Sequence, residues 1–227
     1  MAVKIHADLV QGSDEWHAAR CGLLTASEMK LIVTPSLKPA RNDKERAHLW
    51  ELLAQRVTGY VEPVYISDDM LRGQEDEIQA RALYAQHYAP VTECGFITNS
   101  VWGFTIGYSP DGLVGDNGLI EIKSRRQKYQ METIVNWDVP DEFILQIQTG
   151  LLVSGRAWCD FISYCGGLPM AVLRVLPDPV IHEAIVAAAA GFERRIRQYE
   201  AGYRDHIAHA ELRTIPTVRR IEQEMHL

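Results

Sequence analysis

Helical and extended patterns alternate along this chain of 227 residues. Their order predicts an α/β protein in which a central β-sheet of mixed strand direction is flanked by helices. The segments that show a helical period span residues 42–58, 73–89, 139–154 and 179–201. The segments with strand character span residues 91–98, 103–108, 119–123, 157–165 and 170–176.

Two of the predicted helices have informative ends. Asn42 and Gly59 flank the first helix as a polar start and a glycine stop. In the second helix, acidic residues at 75–77 crowd the predicted first turns, where the helix dipole favours negative charge. The predicted apolar face of this second helix consists of Ile78, Ala82, Leu83 and Ala85. The first three strands are predicted to form a meander, with a turn-rich segment between residues 108 and 119.

Composition narrows the class of protein. With 47% hydrophobic and 23% charged residues the chain is typical of a globular protein, and we predict a single domain over 1–227, with a core at about 10–176 and a helical segment at about 179–227. No window is apolar enough to span a membrane, and a cytoplasmic location is expected.

The cysteines are too widely spaced for a zinc knuckle and are predicted to be reduced thiols. The net charge of −7 argues against binding nucleic acid over the whole surface but leaves room for a local basic groove.

One strand pattern carries charges in an apolar setting. In LIEIK, residues 119–123, Glu121 and Lys123 share one face because alternate strand residues point the same way. Asp111 stands ten residues earlier in a Pro-Asp-Gly turn. Two carboxylates and the Ile122 carbonyl would suit a hard cation such as Mg²⁺, and a lysine beside them could act on a water or a phosphate. An exposed salt bridge beside an ordinary turn would give the same pattern, so these residues alone leave both interpretations open.

The combination of Pro110-Asp111 with Glu121-Ile122-Lys123 resembles the signature of the PD-(D/E)xK nuclease superfamily. Three further stretches resemble the phage lambda exonuclease, or viral recombinase, family, in the same order and at similar spacing over about residues 10–175. They are WHAARCGLLTAS at 16–27, GQEDE at 73–77 and SPDGL at 109–113. The resemblance implies a restriction-endonuclease-like core.

The resemblance also implies roles for individual residues. The metal ligands would be Asp111, Glu121, the Ile122 carbonyl and Glu77, holding two Mg²⁺ ions with Mn²⁺ as an alternative. Lys123 would handle the attacking water. A pocket for a 5′-terminal phosphate would consist of Arg20, Ser27 and Ser109. Of the two glutamines on the helix at 139–154, Gln146 is the better candidate for the site than Gln148, because residues two apart on a helix face differently.

One departure concerns the tyrosine that bacterial RecB-like relatives place four residues after a glutamine. Positions 150 and 152 of this chain are Gly150 and Leu152, which puts any role of that tyrosine in doubt here. Trp16 is expected to be a packing anchor rather than a stacking platform.

The activity implied by the resemblance is a Mg²⁺-dependent 5′→3′ exonuclease. It would digest the 5′-terminated strand at double-stranded DNA ends to mononucleotides and leave 3′ single strands. The resemblance also implies that three copies of the chain form a ring around DNA and that the enzyme works with a single-strand annealing protein. A phage or prophage origin is implied by the same resemblance. Two alternatives remain open at this point, a structure-specific or restriction-type endonuclease and a DNA-end-binding module without catalysis.

Overall fold

The computed structural model describes residues 3–63, 67–209 and 213–219. The strands of this part are β1 (Val3–His6), β2 (Leu24–Thr25), β3 (Phe96–Asn99), β4 (Ile106–Tyr108), β5 (Gly112–Val114), β6 (Gly118–Ser124), β7 (Trp158–Tyr164) and β8 (Ala171–Val175). Its α-helices are α1 (Asp14–Arg20), α2 (Met29–Ile32), α3 (Asp43–Thr58), α4 (Asp68–His87), α5 (Gln127–Asn136), α6 (Asp141–Ser154) and α7 (Pro179–Ala208). A single 3₁₀ turn, Ala26–Glu28, precedes α2.

The strands form two mixed sheets flanked by helices. In the first sheet the order is β1-β3-β4-β2, and β2 runs parallel to β4 while the other pairs are antiparallel. In the second sheet the order is β5-β6-β7-β8, and β6 runs parallel to β7. The predicted fold class, mixed α/β with helices on the sheets, is confirmed, and the strands are divided between two sheets of four.

The alternation of residues in β6 sets up two different faces. Ile120 and Ile122 pack with Ala80 and Tyr84 of α4 in a small apolar cluster. Leu119 points to the other face and joins the main core, which also receives residues of α6. Glu121 and Lys123 lie on this second face, so a charged pair is directed towards α6 from within a largely buried strand.

The predicted limits of α3 are confirmed, and those of α4 are wrong at its start. The Asn42 side chain accepts from the Glu45 amide, and Gly59 ends α3 in the left-handed conformation at φ 63°. Helix α4, predicted to begin at residue 73, begins at Asp68, because the Ser67 side chain caps it by accepting from the Met70 amide. Residues 75–77 therefore lie beyond the first turns of α4, where the helix dipole no longer explains their charge.

The predicted apolar face of α4 is also wrong. Ile78 and Leu83 are 65% and 36% exposed, whereas Ala80 and Tyr84 are buried. The buried stripe follows Tyr84, whose ring packs under the sheet while its hydroxyl reaches Asp160 at 2.6 Å. Acidic residues 76 and 77 consequently lie on the side of α4 that borders the end of β6.

The predicted three-strand meander is wrong, because its strands belong to different sheets. β3 and β4 pair in the first sheet, and the chain then crosses through Ser109, Pro110 and Asp111 into the second sheet. The segment predicted as turn contains β5, which pairs with β6 and exchanges two backbone hydrogen bonds of 2.8 Å with Thr92 through Leu113. The crossing between the two sheets therefore carries the Pro-Asp-Gly turn.

The C-terminal segment is helical for only part of its predicted length. α7 continues past residue 201 to Ala208, and residues 213–219 have neither helix nor strand. The remainder of the predicted 179–227 segment, residues 210–212 and 220–227, lies outside the described residues. No helix of the described residues is long and apolar enough to cross a membrane. The cysteines carry free thiols, as predicted.

Candidate active site

The charged pair of β6 has the geometry that the strand pattern predicts. Lys123 Nζ lies 2.7 Å from Glu121 Oε1. Glu121 is only 1% exposed, and the Lys123 side chain is 24% exposed. The pair is therefore a partly buried ion pair rather than the exposed salt bridge of the alternative interpretation.

α6 contributes one glutamine to this pair. Gln146 Nε2 donates to Glu121 Oε1 over 2.5 Å. Gln148 points elsewhere, where it donates to the Leu176 carbonyl and accepts from the Asp178 amide. The prediction that the two glutamines face differently, with Gln146 nearer the site, agrees with this arrangement.

Asp111 reaches the same strand from the sheet crossing. Its Oδ2 accepts from the Ile122 amide at 2.5 Å. β5 pairs with β6 only as far as Ile120, so the edge of β6 beyond that point is open to the Asp111 side chain. Because the N–H and C=O of one strand residue point to the same side, the Ile122 carbonyl also faces the side of Asp111.

Glu77 of α4 is held beside Asp111 by Arg81. Arg81 forms an ion pair with Glu77, donates through Nε to the Asp111 carbonyl at 2.9 Å, and reaches Glu93 at 3.1 Å. One turn separates Glu77 and Arg81 on α4, so the helix places both side chains on the same face. The acidic helix segment therefore lies beside Asp111, and the role of Glu77 as a metal ligand stays a prediction.

Negative charge accumulates where these elements meet. Burial raises the pKa of Asp111 well above its usual value, and the Glu121 and Glu77 charges add to the shift, against Lys123. Burial also raises the pKa of Glu77, although Arg81 opposes the shift. Burial works against the charged form of Lys123, but its acidic neighbours outweigh this effect and raise the pKa of the ammonium group.

The donor types in this cluster fit a hard cation. Carboxylate oxygens and a peptide carbonyl are the ligands that Mg²⁺ prefers. A bound cation would also offset the repulsion of Asp111 by Glu121 and Glu77, which adds to the effect of burial in raising the pKa of Asp111. Within residues 3–63, 67–209 and 213–219, no three acidic, histidine or cysteine side chains already converge as a ready-made metal centre. Glu121 is engaged by Lys123 and Gln146, and Glu77 by Arg81, so metal binding requires these carboxylates to exchange partners.

A second cluster brings together the three residues predicted to bind a phosphate. Arg20 donates to Ser109 Oγ at 3.1 Å and to Thr25 Oγ1 at 3.3 Å. Thr25 in turn lies 3.3 Å from Ser27 Oγ. Burial lowers the pKa of the Arg20 guanidinium, although the charge of Glu28 opposes the shift. A partly buried guanidinium of this kind is suited to an anionic ligand such as a phosphate.

Trp16 holds this second cluster in place. The guanidinium of Arg20 lies 4.3 Å from the centre of the Trp16 ring. The indole Nε1 donates to Ser109 Oγ and to the Gly95 carbonyl, both at 3.0 Å. These contacts agree with the expected packing role of Trp16.

Sequence reasoning missed Tyr108, Arg81 and Thr25. Tyr108 is buried and donates to Glu121 Oε2 at 2.9 Å. Its position next to the SPDGL motif was a signal for proximity to the site, but nothing local shows which way its ring points. Arg81 offered a clearer signal, since it stands four residues after Glu77 with opposite charge.

Comparison with known proteins decides the family. A family model described as "YqaJ-like viral recombinase domain" matches residues 15–157. This range contains every residue assigned to the two clusters. The chain belongs to the YqaJ-like viral recombinase family.

Solved structures support this membership. An alkaline exonuclease (LHK-Exo) from Laribacter hongkongensis is 35% identical, with a TM-score of 0.72, over 85% of this chain and 99% of that chain. The same relative in complex with dAMP gives a TM-score of 0.73 at the same identity and coverage. A phage related exonuclease from Haemophilus somnus 129PT, at 12% identity and a TM-score of 0.61 over 80% of this chain and 96% of that chain, shares the fold. The comparison with curated proteins gave no match. The chain is therefore a homologue of an alkaline exonuclease within the viral recombinase family.

Proposed function

We propose that this viral recombinase-family nuclease is a Mg²⁺-dependent 5′→3′ exonuclease acting on the ends of double-stranded DNA. It removes mononucleotides from the 5′-terminated strand and leaves a 3′ single strand. The observation that carries this proposal is the short connection between the two clusters. Ser109 belongs to the Arg20 cluster, and Asp111 belongs to the carboxylate cluster.

This connection limits the length of the product. Two residues of extended chain span at most about 7 Å, so a phosphate bound at Ser109 lies close to the carboxylates. A terminal 5′-phosphate held by Arg20, Ser27 and Ser109 would then place the first phosphodiester bond at the carboxylates. Release of single nucleotides follows from that spacing. The complex of the Laribacter relative with dAMP, a nucleoside monophosphate, supports the same product class.

The carboxylate cluster has a role for each member in this reaction. Asp111, Glu121, the Ile122 carbonyl and Glu77 would hold two Mg²⁺ ions, or Mn²⁺ in their place. When bound, the metal ions supply Lewis-acid stabilisation of the charge that develops on the phosphate. Lys123 Nζ is a hydrogen-bond donor, and its raised pKa keeps it an ammonium group that can orient water and stabilise negative oxygen. Gln146 donates to Oε1 of Glu121, so its amide lies where it would orient the attacking water or the phosphate.

The wider biological setting forms part of the same proposal. The exonuclease would act as a homotrimeric ring around DNA and pass its 3′ strand to a single-strand annealing protein. Membership of a viral recombinase family supports a phage or prophage origin, and the site of action would be the cytoplasm of the bacterial host.

The deciding experiment uses linear duplexes that carry a 5′-phosphate on one strand only, with and without Mg²⁺. Covalently closed circles are the matched control substrate, and Lys123→Ala is the matched protein control. We expect Mg²⁺-dependent loss of the phosphorylated strand as mononucleotides, intact circles, and DNA binding without hydrolysis by the variant. Nicked circles would instead indicate an endonuclease, and binding of ends without cleavage would indicate an end-binding module. Full activity of Lys123→Ala would overturn the assigned role of Lys123.

A further inference from the structure

Three donors from three different elements hold the Glu121 carboxylate. Lys123 of β6 and Gln146 of α6 both donate to Oε1. Tyr108 of β4 donates to Oε2. Because the first two donors share one oxygen, Tyr108 is the donor that fixes the position of the other oxygen and hence the plane of the carboxylate.

The Tyr108 ring occupies its position because residue 150 has no side chain. A Cβ atom added at Gly150 would lie 2.6 Å from Cζ of the Tyr108 ring and 2.8 Å from Cε1. Such distances are too short for two carbon atoms that are not bonded to each other. The Tyr108 ring is buried, so it could not move aside without disturbing the core. Gly150 is in the interior of α6, where a glycine costs the helix about 1 kcal/mol relative to alanine. Close approach of the Tyr108 ring accounts for this unfavourable choice.

We propose that Tyr108 and Gly150 form a positioning pair, in which the Tyr108 hydroxyl orients Glu121 for binding of the divalent cation and Gly150 makes room for the ring. The inference rests on the proposed metal-dependent function. It concerns a hydrogen bond behind a ligand rather than a ligand, and such bonds typically change metal affinity by about 10- to 100-fold.

The chain offers a matched control for the tyrosine. Tyr84 is equally buried and also donates to a buried carboxylate, Asp160, at 2.6 Å. Asp160 pairs with Ile120 in register and lies on the α4 side of the second sheet, away from Glu121. Tyr84→Phe therefore removes a hydroxyl of the same kind without touching the site.

The experiment is a calorimetric Mg²⁺ titration of the DNA-free protein, combined with steady-state kinetics at several Mg²⁺ concentrations. For Tyr108→Phe we expect the Kd for Mg²⁺ and the Mg²⁺ concentration at half-maximal rate both to rise about tenfold. The KM for DNA at saturating Mg²⁺ should stay within about twofold, because the DNA-binding residues are unchanged. Tyr84→Phe should lower the melting temperature while leaving the Mg²⁺ titration unchanged.

Gly150→Ala provides an independent variant. It should weaken Mg²⁺ binding by displacing the Tyr108 ring, and its effect on the Kd should not add to that of Tyr108→Phe, since one hydroxyl can be lost only once. Gly191→Ala is the control, because a Cβ at that position on α7 meets no atom within 4 Å.

Mg²⁺ binding by Tyr108→Phe equal to that of the unaltered protein would overturn the positioning role. Equal weakening by Tyr84→Phe would also overturn it, because the effect would then be one of general stability. If the unaltered protein itself neither binds Mg²⁺ nor hydrolyses DNA, the proposed function fails and this inference fails with it. These outcomes are distinguishable within the same set of titrations.

Discussion

Arg20 is the residue on which end recognition depends in the proposed function. Its guanidinium donates to Ser109 and Thr25, and its burial favours an anionic ligand. For Arg20→Ala we expect the preference for a 5′-phosphate over a 5′-hydroxyl end to fall about 30-fold, equivalent to about 2 kcal/mol for charged hydrogen bonds. Initial rates on the two kinds of end measure this preference.

Arg20→Lys and Arg46→Ala are the matched controls for this test. Arg20→Lys keeps a point charge but loses the forked geometry, so it should retain only part of the preference. Arg46 forms an exposed pair with Asp43 on α3, and its removal should leave the preference unchanged. An unaltered preference in Arg20→Ala would move the phosphate pocket elsewhere.

Asp111 should be a source of instability in the metal-free protein. Because the pKa of Asp111 is raised in the folded protein, ionisation of this carboxyl lowers the free energy of unfolding. This loss is absent below the ordinary carboxyl pKa and grows as the pH rises to the raised pKa. Asp111→Asn keeps an oxygen acceptor for the Ile122 amide but removes the charge. At pH 8 in the presence of a chelator, we expect the free energy of unfolding of Asp111→Asn to exceed that of the unaltered protein by about 1 kcal/mol. The melting temperature should then be higher by about 2–4 °C.

Thermal unfolding at pH 8 and pH 5, with and without Mg²⁺, tests this expectation. The advantage of Asp111→Asn should shrink at pH 5, and Mg²⁺ should stabilise the unaltered protein but not the variant. A variant less stable than the unaltered protein at pH 8 in chelator would show that Asp111 contributes to stability rather than reducing it.

Individual elements differ in how far the sequence determines them. α3 was predictable at both ends because its Asn42 cap and its Gly59 stop are local signals. β5 was not, since a three-residue strand in a Gly-rich turn acquires its structure from pairing with β6 and Thr92. The division of strands between two sheets likewise depends on contacts between distant parts of the chain.

The same distinction applies to the site. Glu121 and Lys123 were predictable as a pair because two residues in one strand share a face. Tyr108 and Glu121 are 13 residues apart and on different sheets, so their hydrogen bond depends on how those sheets meet. The strand pattern already indicated Asp111, Glu121 and the Ile122 carbonyl as candidate metal ligands, whereas Glu77 and the phosphate pocket were implied only by resemblance to a family. All of these roles stay predictions.

α3 and α7 are joined by a buried ion pair that should be important for stability. Arg56 donates through both terminal nitrogens to Glu193, at 2.9 and 2.7 Å, and the Glu193 side chain is 5% exposed. Glu193→Gln leaves the Arg56 charge poorly compensated. We therefore expect the free energy of unfolding to fall by about 3 kcal/mol and the melting temperature to fall by roughly 6–12 °C. Asp43→Asn, in the exposed pair with Arg46, should change stability by less than about 0.5 kcal/mol. Equal effects in denaturant unfolding would contradict this ranking.

At the scale of the whole molecule, the proposed function requires a negatively charged protein to remain bound to DNA, which is also negatively charged. The formal charge of −7 gives no net attraction to DNA, and cations such as Arg20 act only locally. Enclosure of the DNA by a ring would resolve this conflict, with acidic surface outward and basic side chains towards the channel. The proposed homotrimer therefore makes a prediction about mass and about salt.

Light scattering should give three times the chain mass of 25.7 kDa. Added salt should slow loading onto DNA ends, because loading depends on screened charge interactions, whereas a ring already closed around its substrate should continue. We therefore expect higher KCl to reduce the fraction of duplexes attacked while leaving the length digested per binding event within about twofold. A single-turnover assay with competitor DNA as a trap measures the two quantities separately. A monomer mass, or a digested length that falls as steeply as loading, would show that local charge rather than enclosure keeps the enzyme on DNA.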